Sequence, residues 1–418
     1  MHIVMATVGT RGDAQPYVAL GAELIRRGHR VTMATHDDHR ALAESRGLGF
    51  RSVSGSFRAV VETPAGRAWL ESSDSPTRYV SAFRACFEPL VDAWLADFDA
   101  ALADCDAVLA HSFAMGALVA GSRRKLPMAL LSPFAVVPSG EHSLLGLPRI
   151  PLLGPWLERT LFRKFFDDVW TVAHAGIARY LAQHGERPPA GSYRASLLAR
   201  GVRHLHLASP AIFPRPTDWP ECAEVTGFCF LDALPTWKPP ARLAEFLAEG
   251  PPPIYIGFGS MTGMAPAALS ALTRKAVEAA KVRAVVGMGW GGIEGLEGSE
   301  RLCVVEDVPH DWLMPRVAAA VHHAGAGTTA AVLRAGKPSF GVPFFGDQPW
   351  WSSRLARLGT GPAPIPKRRL TAERLTEAIV AVTSVDAYRA RAGALGETIR
   401  AERGVEVTAD RALAALGA

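Results

Sequence analysis

The sequence predicts an α/β protein made of two doubly wound, Rossmann-like domains. Three observations carry this. The chain opens with a strand–loop–helix–strand unit, a similar series restarts near residue 254, and a proline-rich stretch separates the two. A length of 418 residues allows two or three domains at roughly 150 residues each. Hydrophobic residues make up 49% and charged residues 20%, which suits sizeable cores and excludes a disordered chain.

The first series begins with an apolar run over 3–8, broken by Gly9-Thr10-Arg11-Gly12-Asp13. Pro16 leads into apolar residues at helical spacing over 17–25, and Arg27-Gly28-His29 ends them. A second strand follows over 31–35. Strand, tight loop, helix and strand imply parallel pairing with a right-handed crossover. Further strands are expected at 107–110 and 127–131. Residues 133–170 break the rhythm, with a loop holding Pro138, Pro148, Pro151 and Pro155 and then a helix over 156–166 with aromatic and basic faces.

Ten prolines between 210 and 253 mark a linker. The second series has strands at 254–258, 284–286, 302–305, 318–322 and 339–342. Its helix over 266–281 starts with a proline, whose missing N–H does no harm there. Helices dominate from 371 onward. The expected organisation is an N-terminal domain over 1–210, a linker over 211–253 and a C-terminal domain over 254–385. Helices over 386–418 are expected to pack back on the N-terminal domain. Two such domains facing one another leave a deep cleft at the carboxyl ends of their strands.

Composition excludes several functions. The net charge of +5 comes from 45 basic and 40 acidic residues with no run of five Lys/Arg, so nucleic acid is not the expected partner. Five cysteines, with no C-x-x-C, argue against a disulfide framework or a zinc site and fit a cytoplasmic protein. No signal-peptide pattern opens the chain, and no run approaches the ~18–20 apolar residues of a membrane span. The D-x-D pairs Asp97/Asp99 and Asp104/Asp106 have no His or Glu cluster beside them and read as solvated helix-terminal acids, so no metal site is expected. P-loop and G-x-S-x-G signatures are absent.

The strongest motif is His322-His323-Ala324-Gly325-Ala326-Gly327-Thr328-Thr329, set between a strand and a helix. Small residues admit close backbone approach, helix-terminal amides bind phosphate, and His and Thr add donors. Pro343-Phe344-Phe345-Gly346-Asp347-Gln348 follows the next strand, and a carboxylate beside an amide suits sugar hydroxyls. The same two residues also read as a helix cap. Gly257-Phe258-Gly259-Ser260 offers further phosphate donors, and Trp290 a base-stacking ring or a core residue. Asp13 stands where a helix begins. It can take a proton from an acceptor hydroxyl, or simply cap the helix. His111 and His142 are spare base candidates.

Residues 308–317, the His322–Thr329 loop, Arg334-Ala335-Gly336-Lys337-Pro338, the Pro343 motif and the opening Gly-Thr-Arg-Gly-Asp-Ala-Gln-Pro together resemble inverting GT-B glycosyltransferases of family 1. The resemblance is to the sterol glucosyltransferase and antibiotic glycosyltransferase branch. It implies a UDP- or dTDP-sugar as co-substrate, an apolar small-molecule acceptor and no cofactor. It makes Asp13 the acceptor-activating base. His323, Gly325, Gly327, Thr328 and Thr329 become the diphosphate loop, Asp347 and Gln348 the sugar pair, Ser260 a phosphate-side serine, and Val308 the residue whose backbone reads the base. Plant relatives stack the base on a Trp where Asp307 stands, and Trp290 is expected to replace it. Acceptor contacts are expected from Phe134, Leu144 and Trp156. Arg159, Arg163 and Lys164 interleave with the aromatic residues near Trp156, so an amphipathic membrane-surface helix and a plain core helix are alternatives there. Other readings are a catalytically silent nucleotide-binding partner, a sugar-nucleotide epimerase and an NAD(P)-linked oxidoreductase.

Overall fold

The computed structural model describes residues 1–72, 75–142, 154–189, 191–259, 264–289 and 295–418. Its contacts divide the chain into two units. The first runs to Leu231 and takes back Arg403–Ala418; the second is Asp232–Glu402.

In the first unit β1 (His2–Ala6), β2 (Arg30–Thr35), β3 (Gly49–Ser52), β4 (Ala107–His111), β5 (Met128–Ser132), β6 (Arg203–His206) and β7 (Ala223–Val225) form one sheet. Its order is β3-β2-β1-β4-β5-β6-β7, and β1 pairs in parallel with both β2 and β4. Both faces are covered by helices, so β1, β4 and β5 are buried along their whole length and read as unbroken apolar runs. The helix Arg11–Arg26 packs Tyr17, Leu20 and Leu24 into this core. It starts inside the expected loop, because Asp13 closes its first turn, and Pro16 lies within it.

The stretch over 211–253 is not a linker throughout. Val225 pairs with His206 in the sheet. Arg215 fixes the turn before β7 by donating to the carbonyls of Trp219, Pro220 and Ala223. These carbonyls replace the strand ladder that the prolines deny.

The second unit repeats the design. β8 (Ile254–Gly257), β9 (Ala284–Gly287), β10 (Leu302–Val305), β11 (Ala320–His322) and β12 (Ser339–Gly341) lie in the order β10-β9-β8-β11-β12, with every pair parallel. The C-terminal helices divide between the units. Asp386–Ala401 packs on Ala326–Arg334, where Gly396 meets the backbone of Gly336 with no room for a side chain. Gly404–Leu416 instead places Ala409, Ala412 and Leu416 in the core of the first unit. Its Thr408 bonds Thr226 at 2.8 Å.

Candidate functional site

Each sheet reverses its order once, between β1 and β4 in the first unit and between β8 and β11 in the second. Ligands of doubly wound sheets bind outside the carboxyl ends of the strands at such a reversal. The candidate residues cluster at these two places.

In the first unit Asp13 is the third residue of the helix that follows β1. Its Oδ2 accepts from the Thr10 amide at 2.8 Å and from Thr10 Oγ1 at 3.0 Å. The carboxylate therefore caps its own helix. Gly9, at φ +134°, faces it so closely that a Cβ there would lie 2.7 Å from Asp13 Cγ. His39 holds this turn, Nε2 donating to the Gly9 carbonyl at 3.1 Å. Across the reversal β4 ends at His111, which is wholly buried and whose Nε2 stands 3.6 Å from Asp13 Oδ1. Burial pushes the His111 pKa below its usual value, against the pull of the Asp13 charge.

His111 has apolar neighbours. Phe134 and Phe113 lie edge-on to the His111 ring, with centroids 5.7 and 5.6 Å away, and both are half-buried. Behind Phe113 come Phe83 and Phe87, on the helix Pro76–Phe87. The structure thus brings Phe134 beside the Asp13–His111 pair. Sequence reasoning passes over Phe113, although its place two residues past a buried strand was a usable signal. Trp156 behaves differently. It is 75% exposed on the helix Gly154–Trp170, among exposed Arg159, Arg163 and Lys164. That helix turns Phe162, Phe165 and Phe166 into the core. His142 stacks on Phe213 at 4.3 Å, a packing role. Leu144 lies outside the described residues.

In the second unit the loops after β8, β11 and β12 are neighbours, because His322 is in register with both Gly257 and Gly341. His323 donates its backbone N–H to the Gly257 carbonyl at 3.2 Å, and its Nδ1 stands 3.4 Å from the same oxygen. A Cβ on Gly259, at φ +70°, would lie 2.8 Å from His323 Cε1. One on Gly325 would overlap His323 Nε2. Burial lowers the His323 pKa to about 4 and that of its neighbour His322 to about 3. His322 is fully buried, and its Nδ1 accepts from the Ala324 amide, so it is part of the turn.

Gly325 is the N-cap of the helix Ala326–Arg334. The first-turn amides of Ala326, Gly327 and Thr328 precede the first intrahelical bond, which Thr329 makes to the Gly325 carbonyl. Gly327 is exposed and Thr328 half-buried. Thr329 is wholly buried, with no hydrogen-bond partner for its hydroxyl among the described residues. It shares the buried stripe of this helix with Ala330, Val332 and Leu333. Thr329 precedes Val332 and Leu333 by three and four residues, the spacing of one helix face.

Asp347 precedes the helix Gln348–Leu358, and its Oδ2 accepts from Trp351 Nε1 at 2.7 Å. Gln348 Oε1 accepts from the amides of Phe344 and Phe345 at 2.8 and 3.0 Å. That leaves its NH2 as the group that can meet a ligand. The Val308 side chain belongs to the core after β10, so only its backbone can read anything. Ser260 and Trp290 lie outside the described residues.

The acid pairs have local partners. Asp97 accepts from the Ser54 amide, Asp99 binds Arg123 and Arg124, and Asp106 accepts from the His2 amide. Among the described residues no group of three or more His, Cys, Asp or Glu is placed to hold a metal ion. No helix among them is long and apolar enough to cross a membrane.

Residues 3–119 match the N-terminal domain of glycosyltransferase family 28, and residues 297–411 the C-terminal domain of the erythromycin biosynthesis protein CIII-like family. A sterol 3-beta-glucosyltransferase of Arabidopsis thaliana is 33% identical over 97% of this chain, which spans 64% of that protein's length. The O-mycaminosyltylonolide 6-deoxyallosyltransferase of Streptomyces fradiae is also 33% identical, over 97% of this chain and 95% of its own. Among solved structures, the glycosyltransferase VinC in complex with dTDP superposes with a TM-score of 0.66 at 20% identity, each chain covered completely.

Proposed function

The chain belongs to the glycosyltransferase family of these relatives, with the GT-B type of fold, and from that premise we propose that it moves a sugar from a UDP- or dTDP-linked donor to a hydroxyl of an apolar acceptor with inversion. The acceptor class is a sterol or a polyketide- or macrolide-like natural product, which the names of the relatives support. The five cysteines, all free thiols, support a cytoplasmic setting.

One observation carries the reading. The two strand-order reversals bear different chemistry, a carboxylate facing a histidine packed among apolar rings in one unit and a His–Gly helix terminus in the other. In the proposed step Asp13 removes the acceptor proton as the oxygen attacks the anomeric carbon. The bond from that carbon to the diphosphate breaks, and the diphosphate leaves with the electron pair. The Ala326, Gly327 and Thr328 amides and His323 stabilise its charge. Asp347 and the Gln348 NH2 hold sugar hydroxyls, and the Val308 backbone reads the base. Ser260 and Trp290 are proposed for the phosphate and base sides. Phe134 and Phe113 flank the acceptor.

The test has two parts. A thermal-shift panel of UDP, dTDP, GDP and NAD should show a selective shift with UDP or dTDP, since ligand at ~100 times its Kd adds ~2.7 kcal/mol. NMR of the product from an α-linked donor should show a β-glycoside. A shift with NAD alone, or an α-linked product, would end this reading.

A further inference from the structure

We infer that His111 is the positioning residue of Asp13, an uncharged imidazole that presents Nε2–H to Oδ1 and holds that oxygen oriented beneath a bound acceptor. The inference rests on Asp13 being the base.

The protonation pattern follows from one backbone bond. The Phe113 amide points at His111 Nδ1 from 3.3 Å. An amide nitrogen only donates, so Nδ1 holds a lone pair and the proton of the neutral ring lies on Nε2. Burial favours the neutral ring. His111 therefore has no lone pair at Nε2 to offer and cannot itself take the acceptor's proton. This removes it from the base candidates and makes it a donor.

The donor has one destination. Nε2 is buried with no hydrogen-bond partner among the described residues, and Asp13 Oδ1 stands 3.6 Å away. A buried N–H left unmade is a standing cost. The ring cannot readily turn to seek another partner, because Tyr17, Phe113 and Phe134 all pack edge-on against it. The Tyr17 hydroxyl is itself committed to the Leu131 carbonyl at 2.7 Å. Asp13 has divided its oxygens. Oδ2 holds two donors from Thr10, and Oδ1 faces His111. Oδ1 is thus the oxygen free to take a proton, with one lone pair towards Nε2–H and the other towards the acceptor. Catalytic hydrogen bonds that are long without substrate shorten in the complex. The acceptor's proton passes to Oδ1, and the His111 proton stays where it is.

The titratable groups around this carboxylate are His111 on β4, Tyr17 one turn further along the same helix, His39 bonded to the Gly9 carbonyl, and Arg11 in the helix's first turn. Among the described residues His111 is the one whose ring nitrogen stands opposite Oδ1.

The experiment compares His111→Leu with His111→Gln, whose amide N–H can replace Nε2–H. kcat is followed from pH 5 to 9 with UDP- or dTDP-glucose and a sterol or macrolide aglycone. The acid limb of the profile should move up by about one pH unit in His111→Leu and stay near wild type in His111→Gln. KM for the nucleotide sugar should not change. A limb unmoved in His111→Leu, or moved equally in both variants, overturns the inference. Nitrogen-15 NMR of the unmutated protein guards against a variant that fails to fold. It should show His111 as a neutral Nε2–H tautomer at pH 7, and an Nδ1–H tautomer or an imidazolium overturns the inference as well. Asp13→Asn is run alongside. Full turnover there ends the base reading, whereas a dead Asp13→Asn with an unmoved His111→Leu limb ends only this one.

Discussion

The imidazole of His323 occupies the space that a side chain on Gly325 would fill. Gly325 has an ordinary φ of −65°, so alanine costs it no backbone strain. The glycine is needed for the ring and not for the turn. Gly325→Ala should fold normally, displace His323 and weaken UDP or dTDP binding about tenfold. Calorimetry of nucleotide binding checks this, and unchanged affinity would separate His323 from the phosphate site.

The same ring should make nucleotide binding sensitive to pH. His323 has its Nδ1 towards the Gly257 carbonyl, so the neutral ring carries its proton there and leaves Nε2 a lone pair. Contact with a phosphate oxygen at Nε2 needs the imidazolium. With the free-state pKa lowered to about 4, that proton is taken up when the diphosphate binds. Affinity should therefore rise as pH falls from 8 to 6, and binding heats should differ between buffers of different ionisation enthalpy. His323→Gln should flatten both effects. Binding that takes up no net protons and is flat with pH in the wild type would contradict this.

Stability should fall with acid for a related reason. His204, His206 and His322 are buried, with pKa values lowered to about 4, 3 and 3 by desolvation. A histidine whose folded pKa is depressed stabilises the fold above its unfolded value near 6.5, and that contribution is lost as pH falls towards the folded pKa. Between pH 7 and 5.5 each loses roughly 1 kcal/mol. Urea denaturation at the two pH values measures the sum, and His206→Gln should lessen the difference.

Much of this was legible in the sequence for a local reason. Parallel strands buried on both faces read as mostly apolar runs, and residues such as Gly, His and Asp after them stand out at the two reversals of strand order. β3, β6 and β7 escaped because Gly49–Ser52 is mostly exposed, Arg203–His206 carries an arginine and two histidines in four residues, and Ala223–Val225 is three residues long among prolines. The full burial of Thr329 was hidden because the motif reads the same whether its last threonine is exposed or buried. The state of His111 was hidden too, since it depends on the Phe113 amide.

Phe134 gives a test of the acceptor side alone. It touches the His111 ring, is half-buried and belongs to the unit that does not carry the His323 loop. Removing a large side chain from an apolar wall costs about 1–2 kcal/mol of binding, or roughly five- to thirtyfold. Phe134→Ala should raise KM for an apolar acceptor by that factor and leave nucleotide affinity unchanged. An equal loss on the nucleotide side would point to general damage.

Asp13 has two duties that different substitutions separate. Its Oδ2 caps the helix Arg11–Arg26 through Thr10, and its Oδ1 faces His111. Asparagine keeps an oxygen for the Thr10 amide but has no carboxylate to take a proton. Asp13→Asn should thus keep its melting temperature and nucleotide affinity while losing at least ~10²-fold in transfer. Alanine loses both duties. Asp13→Ala should show the same loss of transfer and a further drop of about 1 kcal/mol in stability, the usual cost of a missing cap. Parallel measurement of turnover and urea midpoint distinguishes the duties. If Asp13→Asn transfers sugar at the wild-type rate, the carboxylate is only a cap and the base must be sought elsewhere.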